Sequence, residues 1–152
     1  MQLKLTTDYA VRTLLYLAKN NGRMVSSAEI AGAMHISRKY LMKVCSIMRD
    51  AGIVLASPGT DGGYSLAKLP EEIRLYDVVR AMETTIQLNR CLEEDGYCNR
   101  EATDYCTVHK CYAVMQRKWE NFLKGISIAD LVGDLSEGEI ERRIANGNSQ
   151  NK

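Results

Sequence analysis

The chain has 152 residues, 45% hydrophobic and 26% charged. That length suits one compact core, or a domain of about 70 residues with an appendage, and excludes an ordinary two-domain enzyme; the composition excludes wholesale disorder and a membrane-embedded chain. The net charge of +1 hides a split. Residues 1–70 carry nine Lys and Arg against four Asp and Glu, and residues 71–152 carry eleven against fifteen, as expected if only the first part meets a polyanion.

Residues 1–9 lack the basic stretch and apolar run of a signal peptide, and no apolar segment reaches membrane-spanning length. The expected location is therefore cytoplasmic. In that reducing compartment five cysteines point to metal binding or redox sensing rather than to structural disulfides.

Ala10, Val11, Leu14, Leu15, Leu17 and Ala18 recur at helical spacing behind a Thr/Asp start, predicting an amphipathic helix from Thr7 to Lys19 that Asn20, Asn21 and Gly22 end. Ser26, three residues before Glu29, forms a capping-box pattern for a short second helix whose apolar face is Ile30, Ala31 and Met34. After a turn at His35 and Ile36, Ser37 caps a third helix. Its Leu41, Val44, Ile47, Met48 and Ala51 face inward, while Arg38, Lys39, Met42, Lys43, Ser46 and Arg49 fall on the other side. Two strand-like runs, Ile53 to Ala56 and Tyr64 to Ala67, flank a Pro- and Gly-rich hairpin loop.

A fourth helix is predicted from Arg74 to about Glu83, and a loop-like cysteine segment from Arg90 to about Tyr105. A long helix follows with Val108, Cys111, Met115, Trp119, Phe122 and Leu123 at intervals of three and four. Gly125 interrupts it, residues 127–132 add a helical turn, and residues 136–152 read as a polar tail.

Helix, short helix, turn, cationic helix and Gly-rich hairpin, in that order, are the parts of a winged helix-turn-helix. The expected fold is thus mainly α: a winged helix-turn-helix DNA-binding domain over 1–70, and a cysteine loop with a long C-terminal dimerisation helix over 71–135. In this geometry the third helix enters the major groove of double-stranded DNA, and Ser37, Arg38, Lys39, Tyr40 and Lys43 are the candidate contacts. Arg38 suits a guanine edge or a phosphate, and the two lysines suit phosphates.

Cys91, Cys98, Cys106 and Cys111 lie with His109 within 21 residues. Thiolates are soft ligands for iron–sulfur clusters or zinc. The intervals of six and seven intervening residues fit structural zinc pairs poorly, which favours an iron–sulfur cluster. His109 and Cys111 are both candidates for a fourth position, and Cys45 belongs with the inward residues of the third helix.

The chain resembles the Rrf2 family of bacterial regulators, especially its IscR and NsrR branches. The resemblance rests on Leu5 to Arg12 with Leu15 to Ala18, Ile30-Ala31, Ile36 to Leu41, Gly62 to Leu66, Asp77 to Glu83, the three cysteines and Ile128 to Leu131. It implies a homodimer joined through the long helix and a [2Fe–2S] or [4Fe–4S] cluster near the interface. By likeness to IscR the ligands are Cys91, Cys98, Cys106 and His109; by likeness to NsrR the fourth is the partner subunit's Asp8, whose local alternative is a helix cap. Two departures stand out. Both cysteine intervals exceed the five residues usual in IscR, and Pro58-Gly59 replaces the Arg-Gly pair often found in the wing.

The expected function is a dimeric repressor on a palindromic operator, not an enzyme. Nitric oxide, oxidants or iron shortage would act on its cluster. The rival expectations are a cluster-free thiol-based redox regulator and a zinc-stabilised protein-interaction module.

Overall fold

The structure is a computed structural model that describes residues 2–147. The first helix, α1 (Leu5–Lys19), starts two residues before the predicted Thr7. Its buried stripe of Thr7, Ala10, Thr13, Leu14 and Leu17 keeps helical spacing. In α2 (Ser27–Met34), the Ser26 hydroxyl accepts from the Glu29 amide at 3.2 Å, as the capping pattern predicts. His35 ends this helix in the left-handed conformation at φ 53°.

The third helix, α3 (Arg38–Asp50), is capped by Ser37 and buries Leu41, Val44, Cys45 and Met48. Ile47 is only half-buried and Ala51 is exposed, whereas Cys45 lies fully inside. Gly52, at φ +69°, turns the chain into the wing. Strands β1 (Val54–Ser57) and β2 (Gly63–Leu66) pair antiparallel, with Val54 opposite Leu66 and Ser57 opposite Gly63.

The wing is moored to the loop before α2. Val25 and Tyr64 exchange two backbone hydrogen bonds of 2.9 and 2.8 Å. At Gly63 the two backbones approach so closely that any Cβ would run into the Val25 carbonyl, so only glycine fits.

Beyond the wing come α4 (Leu75–Met82), a single 3-10 turn at Arg90–Leu92, α5 (Thr107–Gly125), α6 (Ile128–Val132) and α7 (Glu137–Gly147). The core draws on residues from both sides of residue 70. Ile73, Val78 and Met82 around α4 and Ile128 of α6 join Leu14, Leu17, Ile30, Leu41, Val44 and Met48 in one core. Burial of each such large side chain contributes about 1.5–3 kcal/mol before entropy is counted.

The segment read as a polar tail contains α7. This helix lies on α5, with the Ile144 backbone next to Gly125, and Arg143 pairs with Asp130. Ile140 and Ile144, one turn apart, are its half-buried residues. Residues 148–152 of the expected tail lie outside the described residues.

Candidate nucleic-acid interface and cysteine site

Because α3 turns its apolar stripe into the core, its opposite face is left to solvent. Ser37, Arg38, Lys39 and Lys43 are all exposed there. Two of them are also engaged within the protein. The Ser37 hydroxyl accepts from the Tyr40 amide at 3.3 Å, and Arg38 Nε donates to the Ser27 hydroxyl at 2.9 Å, drawing the guanidinium toward the start of α2. Tyr40 departs from the expectation. It is half-buried, with its ring packed edge-on against Tyr9 at 5.5 Å, so the aromatic face is used in packing.

Ser27 was not read into this surface, and Arg49, read on the outward face, was not among the candidate contacts. With Arg38 and Met42 they line a cleft of about 500 Å³ between α3 and the wing, closed on the far side by residues 56–60. Their contribution becomes visible only when the wing folds back beside α3. Cys45 has no access to this surface, and burial pushes its thiol up to about 12.

The cysteine segment is held by polar ties. Arg90 forms a two-pronged ion pair with Asp95 and lies over the Tyr97 ring at 5.4 Å. Thr85 donates to Glu93 at 2.7 Å, and Thr103 donates to the Gly96 carbonyl at 3.1 Å. From α5, the buried Gln116 accepts from the Leu88 amide (2.9 Å) and donates to the Ile86 carbonyl (3.2 Å) and to Glu120 (3.0 Å). Its position as a polar residue on a helix otherwise read by apolar spacing hid this role.

All five cysteines are free thiols. Cys91 sits in the 3-10 turn, Cys98 in the loop and Cys106 at the N-cap of α5, each half-buried, while Cys111 is exposed. The fold brings two predicted ligands together: His109 Nδ1 lies 3.4 Å from Cys91 Sγ. It does not gather the rest. Among the described residues no three His, Cys, Asp or Glu side chains converge closely enough to hold a metal ion. The donor chemistry of half-exposed free thiols beside an imidazole fits an iron–sulfur cluster or zinc, but the full ligand set is not assembled within one chain. Hydrogen bonds from the Ala102 and Arg100 amides hold the Cys98 thiol below its ordinary pKa.

Asp8 lies in the first turn of α1 and is not its cap, since Lys4 occupies the N-cap position. Its half-exposed carboxylate pairs with Arg12 at 2.7 Å. Beside it runs a groove of about 560 Å³ lined by Leu3, Leu5, Val11, Leu75, Val79 and Leu131. On α5, Val108 (55% exposed), Cys111 and Met115 (50%) form an uncovered stripe; of the apolar series read from the sequence, only Leu123 is buried. Among the described residues no helix is long and apolar enough to cross a membrane.

A recognition helix with a cationic outer face, flanked by a wing and followed by an appended helical segment, defines a winged-helix DNA-binding transcription regulator. The chain belongs to the Rrf2 family, described as iron-dependent transcriptional regulators, which matches residues 3–134. Members of this family are regulators rather than enzymes.

Two relatives illustrate the match. A protein of Aquifex aeolicus (strain VF5), whose name assigns it provisionally to the HTH-type transcriptional regulators, is 34% identical over 127 residues, covering 84% of this chain and 88% of its own. Protein aau3 of Rhizobium meliloti (strain 1021) is 33% identical over 132 residues, covering 87% and 85%.

Among solved structures, CymR, the global cysteine regulator of B. subtilis, superposes with a TM-score of 0.68 at 25% identity, over 90% of this chain and 99% of its own. IscR of T. potens superposes with a TM-score of 0.69 at 24% identity, over 91% of both chains, which shows the shared fold.

Proposed function

We propose that the protein is a cytoplasmic homodimeric repressor of a palindromic operator. Its DNA affinity is set by an iron–sulfur cluster on Cys91, Cys98 and Cys106, with His109 or the partner subunit's Asp8 in the fourth position. The observation that carries this reading is the pairing of His109 Nδ1 with Cys91 Sγ at 3.4 Å, two soft donors brought together across 18 residues. The family description as iron-dependent supports it.

A [2Fe–2S] or [4Fe–4S] cluster supplies a redox-active, nitric-oxide-reactive centre when bound. Cys91, Cys98 and Cys106 would hold it, and the Arg90–Asp95 pair and Gln116 restrain the segment around them. Ligation through Cys106, the N-cap of α5, would tie that segment to the start of α5. The uncovered Val108–Cys111–Met115 stripe and the apolar groove beside Asp8 support dimerisation, since each is an apolar surface that a second copy can cover. A shift of α5 in the dimer changes the spacing of the two recognition helices, and so the fit to half-sites about one helical turn apart.

Anaerobic purification tests the reading. The expected result is a brown protein containing iron and sulfide, with visible absorbance lost in the Cys91→Ala, Cys98→Ala and Cys106→Ala variants; His109→Ala and Asp8→Ala then identify the fourth ligand. A colourless sample free of iron and sulfide refutes the cluster. The double variant Arg38→Ala/Lys39→Ala is expected to weaken operator binding and flatten its salt dependence.

One observation favours a second reading. Cys98 is a free, half-buried loop thiol beside the Ala102 and Arg100 amides, which suits a thiol switch in which oxidant converts the thiolate to a sulfenic acid. An oxidant response that survives without iron and vanishes in Cys98→Ser distinguishes it.

A further inference from the structure

On the outer face of α3, Met42 stands exposed where the DNA-binding account assigns it nothing. It is 49% exposed, although the inward positions are already filled by the fully buried Leu41, Val44, Cys45 and Met48. Its neighbours one turn back are Arg38 and Lys39, and one turn on is Ser46. Packing therefore does not require an apolar side chain here, and the surrounding face is polar and cationic.

The other groove-facing candidates are partly committed. Ser37 caps the helix, Arg38 is held by Ser27, and Tyr40 packs on Tyr9. Lys39 and Lys43 remain free to meet phosphates, which position a protein on the duplex without reading its sequence. That leaves Met42 at the centre of the face, bordering the cleft between α3 and the wing. The apolar group that the major groove offers is the C5-methyl of thymine.

We infer that Met42 is a specificity-determining residue, packing its thioether against the C5-methyl of a thymine in each operator half-site. The inference rests on the proposal that α3 is the recognition helix. Met42 is a discriminator between thymine and cytosine, which lacks that methyl, and between thymine and uracil, which differs from it in the methyl alone.

The test begins with selection of bound sequences from a random duplex library by the full chain in its native cofactor state. Each thymine of the selected half-site is then replaced by deoxyuridine. At one position the replacement is expected to weaken wild-type binding about fourfold, the effect of withdrawing one buried methyl, and to leave Met42→Ala unaffected. Met42→Leu, which keeps an apolar side chain, is expected to retain the discrimination. Equal losses in wild type and Met42→Ala, or no deoxyuridine effect at any position, overturn the inference while leaving the DNA-binding reading intact. Failure to select any sequence overturns the assignment of α3 itself, and this inference with it.

Discussion

Replacing Gln116 isolates what holds the cysteine segment against α5. The side chain is 6% exposed and uses its oxygen and both amide hydrogens, on Leu88, Ile86 and Glu120. Gln116→Leu keeps the volume and leaves the Leu88 N–H and Ile86 carbonyl without their partners. An orphaned backbone group costs about 1–3 kcal/mol when buried. Both residues are half-buried, so the combined loss is about 2–4 kcal/mol on the same scale.

With a urea dependence of about 2 kcal/mol per molar, the unfolding midpoint falls by about 1–2 M, measured at equal protein concentration. Gln116→Glu adds a signature. It keeps the acceptor for Leu88 but turns a carboxylate toward the Ile86 carbonyl and Glu120, both of which disfavour its ionisation. Its folded pKa then lies above the unfolded value, so stability falls as pH rises through the carboxylate range and recovers toward acid. An unmoved midpoint in Gln116→Leu, or a Gln116→Glu variant whose stability lacks that pH trend, refutes the reasoning.

Gly63→Ala places a methyl against the Val25 carbonyl. Detachment of the wing should lower the melting temperature and abolish operator binding, and an alanine variant with wild-type shift-assay affinity would show that the mooring is dispensable. Glu83 provides the pH test in the wild-type chain. Desolvation pushes its pKa up, but the Thr7 hydroxyl and the Lys4 amide and ammonium more than offset this, leaving it below the ordinary 4.5. A depressed carboxylate contributes stability that is present above its unfolded pKa and lost as pH falls through its folded one. Denaturation curves from pH 6 downward should therefore lose less stability in Glu83→Gln than in wild type below about pH 4.5; parallel acid limbs would remove Glu83 from the account.

The N-terminal half of the fold was legible because each element carries a local signal that agrees with its packing. Ser26 and Ser37 cap as their spacing predicts, and Gly62-Gly63 marks the hairpin. The second half was less so. The apolar spacing of Val108, Cys111 and Met115 says that this face of α5 favours burial, not what buries it, and among the described residues nothing covers it. The helix α7 escaped because, among the residues whose burial is described, Ile140 and Ile144 supply its half-buried side, too short a pattern to rise above a polar composition. Among the site residues, the clustering of cysteines was visible and the Cys91–His109 contact was consistent with it. The role of Gln116 and the packing of Tyr40 depend on partners 28 residues or more away along the chain, which periodicity does not encode.

The end of α5 returns to the start of α4. Leu75 N donates to the Ile126 carbonyl at 2.8 Å and Ile128 N to the Ile73 carbonyl at 2.9 Å, so the start of α4 and the end of α5 are hydrogen-bonded to each other. Between them, α4 packs Val78 and Met82 into the core, and only the stretch from residue 84 to the end of α5, the cysteine segment included, forms an arch from the end of α4 back to this seam. Such an arch can be lengthened, shortened or given different ligands without disturbing the register of the core beneath it, because the distance its ends must span stays fixed. Cysteine intervals of six and seven residues therefore fit this segment without altering the winged helix.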